Sequence, residues 1–179
     1  AVNVSARDFR ASDVEGMINT ALEKSQLPAR RLEIEVTETA VIEEREAVNA
    51  VLLSLYTRGI GVALDDFGTG YSSLSYLQAL PLTKLKIDRS FVMDIETNPR
   101  SIRLLANVAQ LGKDLDLVIT AEGIETQEQL DLIMGKTRID HGQGFLFGVP
   151  LPASDTTRLI ERRMAAPRGE EARRLMTGP

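Results

Sequence analysis

The chain has 179 residues, of which 43% are hydrophobic, so it fits one globular domain and is too apolar for a disordered segment. Acidic residues outnumber basic ones by 26 to 21, which disfavours a nucleic-acid duplex as partner. Cysteine is absent and His141 is the only histidine, which excludes disulfides, thiolate catalysis and multi-histidine metal centres. Any metal must therefore be bound by oxygen. The sequence shows neither a membrane span nor a leader peptide, so a cytoplasmic location is expected, although further domains could anchor a longer protein to the membrane.

Strand and helix patterns alternate from the start of the chain. Residues 1–5 alternate as a strand does, and the S-x-x-E sequence of residues 12–15 predicts the capping box of a first helix. Residues 31–37 alternate apolar with polar side chains, which predicts a second strand. Apolar residues at helical spacing over 48–55 predict a second helix that ends before Gly59.

The middle of the chain contains a strand that leads into an unusual loop. Residues 61–64 are an apolar run that ends in Asp65 and Asp66, and the glycine- and hydroxyl-rich residues 67–73 follow. Residues 84–88 alternate again and predict another strand. This pattern is typical of a strand that opens into a loop above a site.

The remainder repeats the strand and helix units. The predicted elements are a helix over 102–109 that stops at Gly112, a strand at 117–121, a helix capped at Thr126, a weak strand pair within 139–147 and a helix at 155–164. Residues 1–165 are therefore expected to form one domain, and residues 166–179 a charged C-terminal tail.

Units of this kind predict an α/β fold with a parallel sheet, either open or closed into a barrel. Polar residues at the ends of six predicted strands favour a barrel, since a barrel gathers such ends around one mouth: Asn3, Glu35, Asp65, Lys86, Glu122 and Gln143. We predict a (β/α)8 TIM-like barrel. Because six or seven strands can be counted where such a barrel has eight, the chain is expected to lack the N-terminal part of the barrel.

Four acidic residues at these ends predict a metal centre. They are Glu35, Asp65, Asp66 and Glu122, and their charges match two divalent cations. With the neutral oxygen of Asn3, the set suits Mg²⁺ or Mn²⁺. Adjacent aspartates can both face the mouth only if the strand ends between them, which the following glycines favour.

Two such ions predict phosphodiester hydrolysis, because a metal pair can hold a phosphate, activate water and stabilise the leaving oxygen. Lys86 would neutralise charge near the reacting phosphate, and Gly68, Thr69 and Gly70 would form a mobile loop above it.

Six segments together resemble one known family in order and spacing. They are Val2-Asn3-Val4-Ser5, Glu35-Val36-Thr37-Glu38, the segment from Asp65 to Ser73, Lys86-Ile87-Asp88, the segment from Ala121 to Glu125, and Gly142-Gln143-Gly144-Phe145. The sequence resembles the EAL-domain cyclic-di-GMP phosphodiesterases from Ala1 to about Ile160. The resemblance implies a modified (β/α)8 barrel that hydrolyses cyclic di-GMP to linear pGpG with two divalent cations.

The resemblance also implies residue roles. The implied metal ligands are Asn3, Glu35, Asp65, Asp66 and Glu122, and the implied catalytic residues are Glu122, Lys86 and Asp66. Glu38 would anchor the loop of residues 67–73, which in this family also takes part in dimerisation. Gln143 would lie at the edge of the site. Glu125 would lie among the residues that contact the substrate or the loop, although an acid just before a helix is also favoured by the helix dipole.

The motif that names the family supplies a further metal-binding Glu and a substrate-binding Arg, and it would lie upstream of Asn3. We therefore expect the chain alone to be impaired in hydrolysis. The family resemblance also predicts a homodimer and an upstream sensor or cyclase-like domain in the parent protein.

Two alternatives remain open at this point. A receptor could bind cyclic di-GMP without cutting it. A barrel lyase could use Lys86 as a Schiff-base amine, although the neighbouring acids favour the protonated lysine. Glu33 shares a face with Glu35 and receives no role.

Overall fold

The computed structural model describes residues 1–43, 45–70 and 74–165. The chain divides into two compact units, Ala1–Phe147 and Gly148–Pro179. The first unit contains a six-stranded sheet made of β1 Val2–Val4, β2 Glu33–Thr37, β3 Gly61–Phe67, β4 Lys84–Ile87, β5 Val118–Ala121 and β6 His141–Gly142. The tail predicted at 166–179 lies outside the described residues, and the division into domains stays a prediction.

Helices follow the strands along the chain. Those of the first unit are α1 Ala6–Ala11, α2 Val14–Ser25, α3 Glu38–Glu43, α4 Arg45–Thr57, α5 Leu74–Ala79, α6 Pro99–Asp114 and α7 Gln127–Lys136. Single 3₁₀ turns at Ala29–Arg31 and Arg89–Phe91 precede β2 and follow β4. The second unit contributes α8, Ala153–Ala165. None of the helices within the described ranges is long and apolar enough to cross a membrane.

All strand pairs are parallel, and the strands lie side by side in chain order from β1 to β6. A doubly wound open sheet reverses its strand order at a switch point, whereas a β/α barrel keeps chain order. The predicted α/β fold of the barrel type is therefore confirmed. Since every strand runs the same way, the carboxyl ends of all six lie at one edge of the sheet.

The two faces of the sheet differ in chemistry. Side chains that point toward the helices are apolar and fully buried, and they include Ile34, Val62, Leu85, Ile87 and Ile119. Helix α4 packs against β3 and α6 packs against β5. Burying one such side chain stabilises the fold by about 1.5–3 kcal/mol relative to leaving it exposed. Because neighbouring residues in a strand point to opposite faces, the polar residues between these positions share the other face.

Two sequence predictions about element ends were wrong. Helix α6 continues through Gly112 to Asp114, because Gly112 is a packing position: a Cβ there would collide with Ile119 and lie 3.3 Å from Leu85 Cδ2. The strand pair predicted within 139–147 is a single strand, β6, of two residues.

Helix starts follow capping chemistry, with one shift of register. Asp13, not Ser12, caps α2, and its carboxylate accepts a hydrogen bond from Gly16 N. The predicted cap of α7 is confirmed, because Thr126 Oγ1 accepts from Gln129 N and Gln129 Oε1 accepts from Thr126 N.

Candidate active site

Strand register aligns the predicted site residues on one face of the sheet. Asn3 of β1 pairs with Glu35 of β2, and Thr37 of β2 pairs with Asp65 of β3. Lys86 of β4 pairs with Thr120 of β5. Because side chains two residues apart in a strand share a face, Glu35, Asp65 and Lys86 point to the same side of the sheet.

The backbone of Asp66 lets two adjacent aspartates serve one site. Asp66 has a left-handed backbone with φ 53°, and the β3–β4 pairing shifts its register between Leu64 and Phe67. Such a conformation is uncommon outside glycine, although aspartate tolerates it better than most residues. The expectation that the strand ends between Asp65 and Asp66 was wrong, since β3 runs on to Phe67 and the irregularity replaces the ending.

Lys86 lies at the centre of the site and is 5% exposed. Its Nζ donates hydrogen bonds to Asp65 Oδ1 at 2.8 Å and to Glu35 Oε2 at 3.1 Å. The same Nζ lies 2.6 Å from Glu122 Oε1 in an ion pair. One buried ammonium therefore contacts three carboxylates, each from a different strand or strand end.

The acids around Lys86 exceed the charge that it can neutralise. Burial raises the pKa of Glu122, against the opposing effect of Lys86, and burial together with the neighbouring Asp65 charge raises the pKa of Asp66. Burial disfavours the charged form of Lys86, but its contacts with the carboxylates of Asp65 and Glu122 outweigh this and raise its pKa above the ordinary value. A lysine held charged in this way is a poor Schiff-base nucleophile, which removes the main support for the lyase alternative.

The carboxylates fit a divalent cation. Asp65, Asp66 and Glu122 each offer an oxygen, and these atoms lie within 4.8 Å of one another. Glu122 Oε1 is buried and accepts no hydrogen bond of good geometry from the described residues, despite the nearby Lys86. Clustered carboxylate oxygens are the ligands that hard cations such as Mg²⁺ or Mn²⁺ prefer.

Glu38 connects the loop after β3 to the start of α3. The Glu38 side chain is buried, with 6% exposure, and its Oε2 accepts a hydrogen bond from Gly68 N at 3.3 Å. Gly68 has φ 99° and lies against the ring of Phe91, so a larger residue would collide there. A Cβ at Gly70 would lie 3.1 Å from the Glu38 carboxyl. Thr69 bonds back to Asp66 O through both its amide and its hydroxyl. The predicted residues 71–73 of this loop lie outside the described residues.

The other predicted residues lie around this centre. Gln143 N donates to Ala121 O and Gln143 O accepts from Ile124 N, which fixes this exposed residue beside the end of β5. Glu125 is exposed, and its amide donates to Gln129 Oε1 at the start of α7, which agrees with the helix-start alternative. Asn3 is exposed on β1, in register with Glu35.

Sequence reasoning missed two polar features of the same face. Thr120 is 6% exposed and pairs with Lys86. Glu33 forms an ion pair with Lys84, with Nζ 2.6 Å from Oε2. The alternation in β2 and β4 was the available signal, because it places Glu33 below Glu35 and Lys84 below Lys86 on one face.

Comparison with known proteins gives a family for this arrangement. The model of the EAL domain matches residues 1–150. The signaling protein YkoW of Bacillus subtilis is 42% identical over 160 residues, covering 89% of this chain and 20% of that protein. The bifunctional diguanylate cyclase/cyclic di-GMP phosphodiesterase MucR of Pseudomonas aeruginosa is 39% identical over 155 residues, covering 86% of this chain and 22% of MucR. The chain thus spans about a fifth of the length of these relatives.

Solved structures match the same region. The MucR phosphodiesterase in complex with c-di-GMP superposes with a TM-score of 0.79 at 36% identity, covering 86% of this chain and 62% of that one. The EAL domain of Mycobacterium smegmatis DcpA gives a TM-score of 0.82 at 33% identity, covering 89% and 71%. A manganese and c-di-GMP complex of Klebsiella pneumoniae BlrP1 gives 0.75 at 33% identity, covering 83% and 38%.

The family match covers most of the chain, and it includes every strand and the whole cluster around Lys86. The chain belongs to the EAL domain family.

Proposed function

We propose that this chain carries the catalytic centre of a cyclic-di-GMP phosphodiesterase, which hydrolyses the cyclic dinucleotide to linear pGpG. The observation that carries the proposal is the cluster in which Lys86 contacts Glu35, Asp65 and Glu122 while Asp66 lies beside them. The family membership and the c-di-GMP complexes of MucR and BlrP1 support the substrate.

We propose two divalent cations, Mg²⁺ or Mn²⁺, as cofactors. Asp65, Asp66 and Glu122 would hold them, with Glu35 and Asn3 as further oxygen ligands from the adjoining strands. Divalent cations bound at such a site supply Lewis acidity for an attacking water and for the leaving oxygen of a phosphodiester. The clustered carboxylates of Asp65, Asp66 and Glu122 support this assignment, and Glu35 lies near them through its contact with Lys86.

The residues of the chain have distinct tasks in this scheme. Glu122 is proposed to orient the attacking water, because its carboxylate lies beside Asp65 and Asp66 at the proposed metal site. The Lys86 ammonium keeps the carboxylates at fixed positions and offers positive charge to a phosphate oxygen. Gln143 is proposed to contact the dinucleotide at the edge of the site, where its backbone is fixed by β5.

The loop after β3 is proposed to close the site from above. Glu38 holds Gly68, and Gly70 lies against the same carboxyl, so the loop position depends on one buried acid. We also propose, from the family and from the bifunctional relative MucR, that the parent protein forms a homodimer and carries an additional sensor or cyclase-like domain.

The test is hydrolysis of c-di-GMP by the full-length protein, followed by chromatography of the product. Turnover to pGpG is expected with Mn²⁺ or Mg²⁺ and is expected to stop after chelation. Glu122→Gln should lower kcat by about 10²-fold or more while the melting temperature changes little. The matched control Glu128→Gln, in the exposed first turn of α7, should leave turnover unchanged.

Substrate binding without any product would support the receptor alternative instead. Unchanged turnover in Glu122→Gln would contradict the proposed role of this residue.

A further inference from the structure

A second ion pair lies below the Lys86 cluster on the same face of the sheet. Lys84 Nζ lies 2.7 Å from Glu33 Oε1 and 2.6 Å from Glu33 Oε2, so the lysine contacts both carboxylate oxygens. The two side chains are 22% and 23% exposed, far less than a typical surface pair. Neither residue has a part in the proposed chemistry.

The pair forms across an intervening strand. Glu33 is on β2 and Lys84 is on β4, and β3 lies between them. On this face β3 presents Gly61 beside Glu33 and Ala63 beside Lys84. These small residues leave the space through which a β2 side chain meets a β4 side chain.

The register places Lys84 in the same row of the sheet as a different acid, Glu35. Ala63 pairs with Glu35 on one side and with Lys84 on the other, so Lys84 shares a row of the sheet with Glu35. The lysine instead reaches down the sheet to Glu33, two residues away from Glu35 along β2. Glu35 is in turn bonded to Lys86.

We propose that Glu33 is a positioning residue for the cation site, because it engages Lys84 and thereby prevents this second lysine from pairing with Glu35. The inference rests on the proposed metal-dependent function. With Glu33 present, Lys86 is the cation that contacts the clustered carboxylates. Without it, Lys84 keeps no carboxylate partner among the described residues and turns to Glu35, where its charge competes with a divalent ion.

The experiment measures Mn²⁺ binding by calorimetry in the full-length protein, without substrate. The variants are Glu33→Gln, Lys84→Gln and the double variant, with Glu33→Met as a second substitution should the glutamine not fold. We expect Glu33→Gln to weaken Mn²⁺ binding about tenfold or more, as outer residues of metal sites do. Lys84→Gln should bind Mn²⁺ as well as the unsubstituted protein or more tightly, and the double variant should recover its affinity to within about twofold.

The asymmetry between the two single variants separates this role from a structural one. A purely structural ion pair predicts similar losses of melting temperature in both single variants and no rescue of Mn²⁺ binding in the double variant. Unchanged affinity in Glu33→Gln, or a double variant as weak as Glu33→Gln, would overturn the inference. If the unsubstituted protein binds no Mn²⁺, the proposed metal-dependent function itself is contradicted. Failure of the Glu33 inference alone looks different, because the unsubstituted protein then still binds Mn²⁺.

Discussion

Lys86 partly neutralises the negative charge of the site, because it is a buried cation in contact with three carboxylates. Removing one partner of a buried charge network leaves the others without compensation, which destabilises a protein more than the net value of the pairs. A divalent cation can supply the missing positive charge. The stability of a Lys86 variant should therefore depend on metal.

We predict that Lys86→Met lowers the free energy of unfolding by about 3 kcal/mol in the presence of a chelator. Mn²⁺ should return part of this loss, since it binds the folded state and compensates the same acids. Urea unfolding with and without Mn²⁺ measures both effects.

The matched control is Lys136→Met in the exposed last turn of α7, which should change stability by less than about 0.5 kcal/mol. An equal loss in Lys86→Met with and without the ion would show that the metal does not share the Lys86 carboxylates.

For individual residues, the sequence predicted which side chains lie in the site better than it predicted the contacts between them. Alternation in β2 and β4 placed Glu35 and Lys86 on one face, and strand ends in a barrel brought Asp65 near them. The left-handed backbone of Asp66 was not predictable, because it depends on the register shift of β3 against β4. Glu33 received no role because its partner is 51 residues away in the chain.

At the scale of elements, helix α6 shows how packing overrides a local signal. Glycine commonly ends helices, and the sequence therefore predicts a helix end at Gly112. In the structure Gly112 is buried within α6 and faces Ile119 and Leu85 of the sheet. The missing side chain lets the helix approach the strands closely. The backbone of Gly112 is helical and would accept most residues. Glycine is needed here because a side chain would not fit between the helix and the strands.

We predict that Gly112→Val destabilises the fold by about 2 kcal/mol or more, because the added methyl groups overpack a fully buried contact. Gly135→Ala in α7 is the matched control, since a Cβ placed there meets nothing within 4 Å beyond its chain neighbours and the adjacent backbone of its own helix. That substitution should stabilise the protein by up to about 1 kcal/mol through helix propensity.

Thermal or urea unfolding of the two variants measures the contrast. A Gly112→Val protein as stable as the unsubstituted chain would contradict the close packing of α6 on β4 and β5.

Elements with strong periodicity were predictable, and short ones were not. Strands β2 and β4 and the long helix α4 follow their patterns closely. Helices α3 and α5 have six residues each, too few for a clear stripe, and were not predicted. Strand β6 exists through backbone bonds to β5, including Gln143 N to Ala121 O, and such pairing leaves little trace in a local sequence.

At the scale of the whole molecule, the site depends on strand order. Six parallel strands in chain order bring residues from Asn3 to Gln143 to one edge of the sheet, although they are far apart in the chain. The repeated strand and helix units predicted a parallel sheet, and the polar residues at the strand ends then favoured the barrel over an open sheet. The position of the ions relative to each acid could not be predicted in the same way, because it depends on side-chain distances and not on periodicity.

The most direct test of a shared metal site is the anomalous scattering of Mn²⁺ in crystals of the full-length protein. We predict two peaks among the carboxylates of Glu35, Asp65, Asp66 and Glu122, with oxygen to metal distances of about 2.0–2.6 Å. Glu122→Gln crystals should lose or weaken at least one peak. A map without Mn²⁺ at this cluster, or with Mn²⁺ held only elsewhere on the protein, would contradict the claim that these strand-end acids share metal ions.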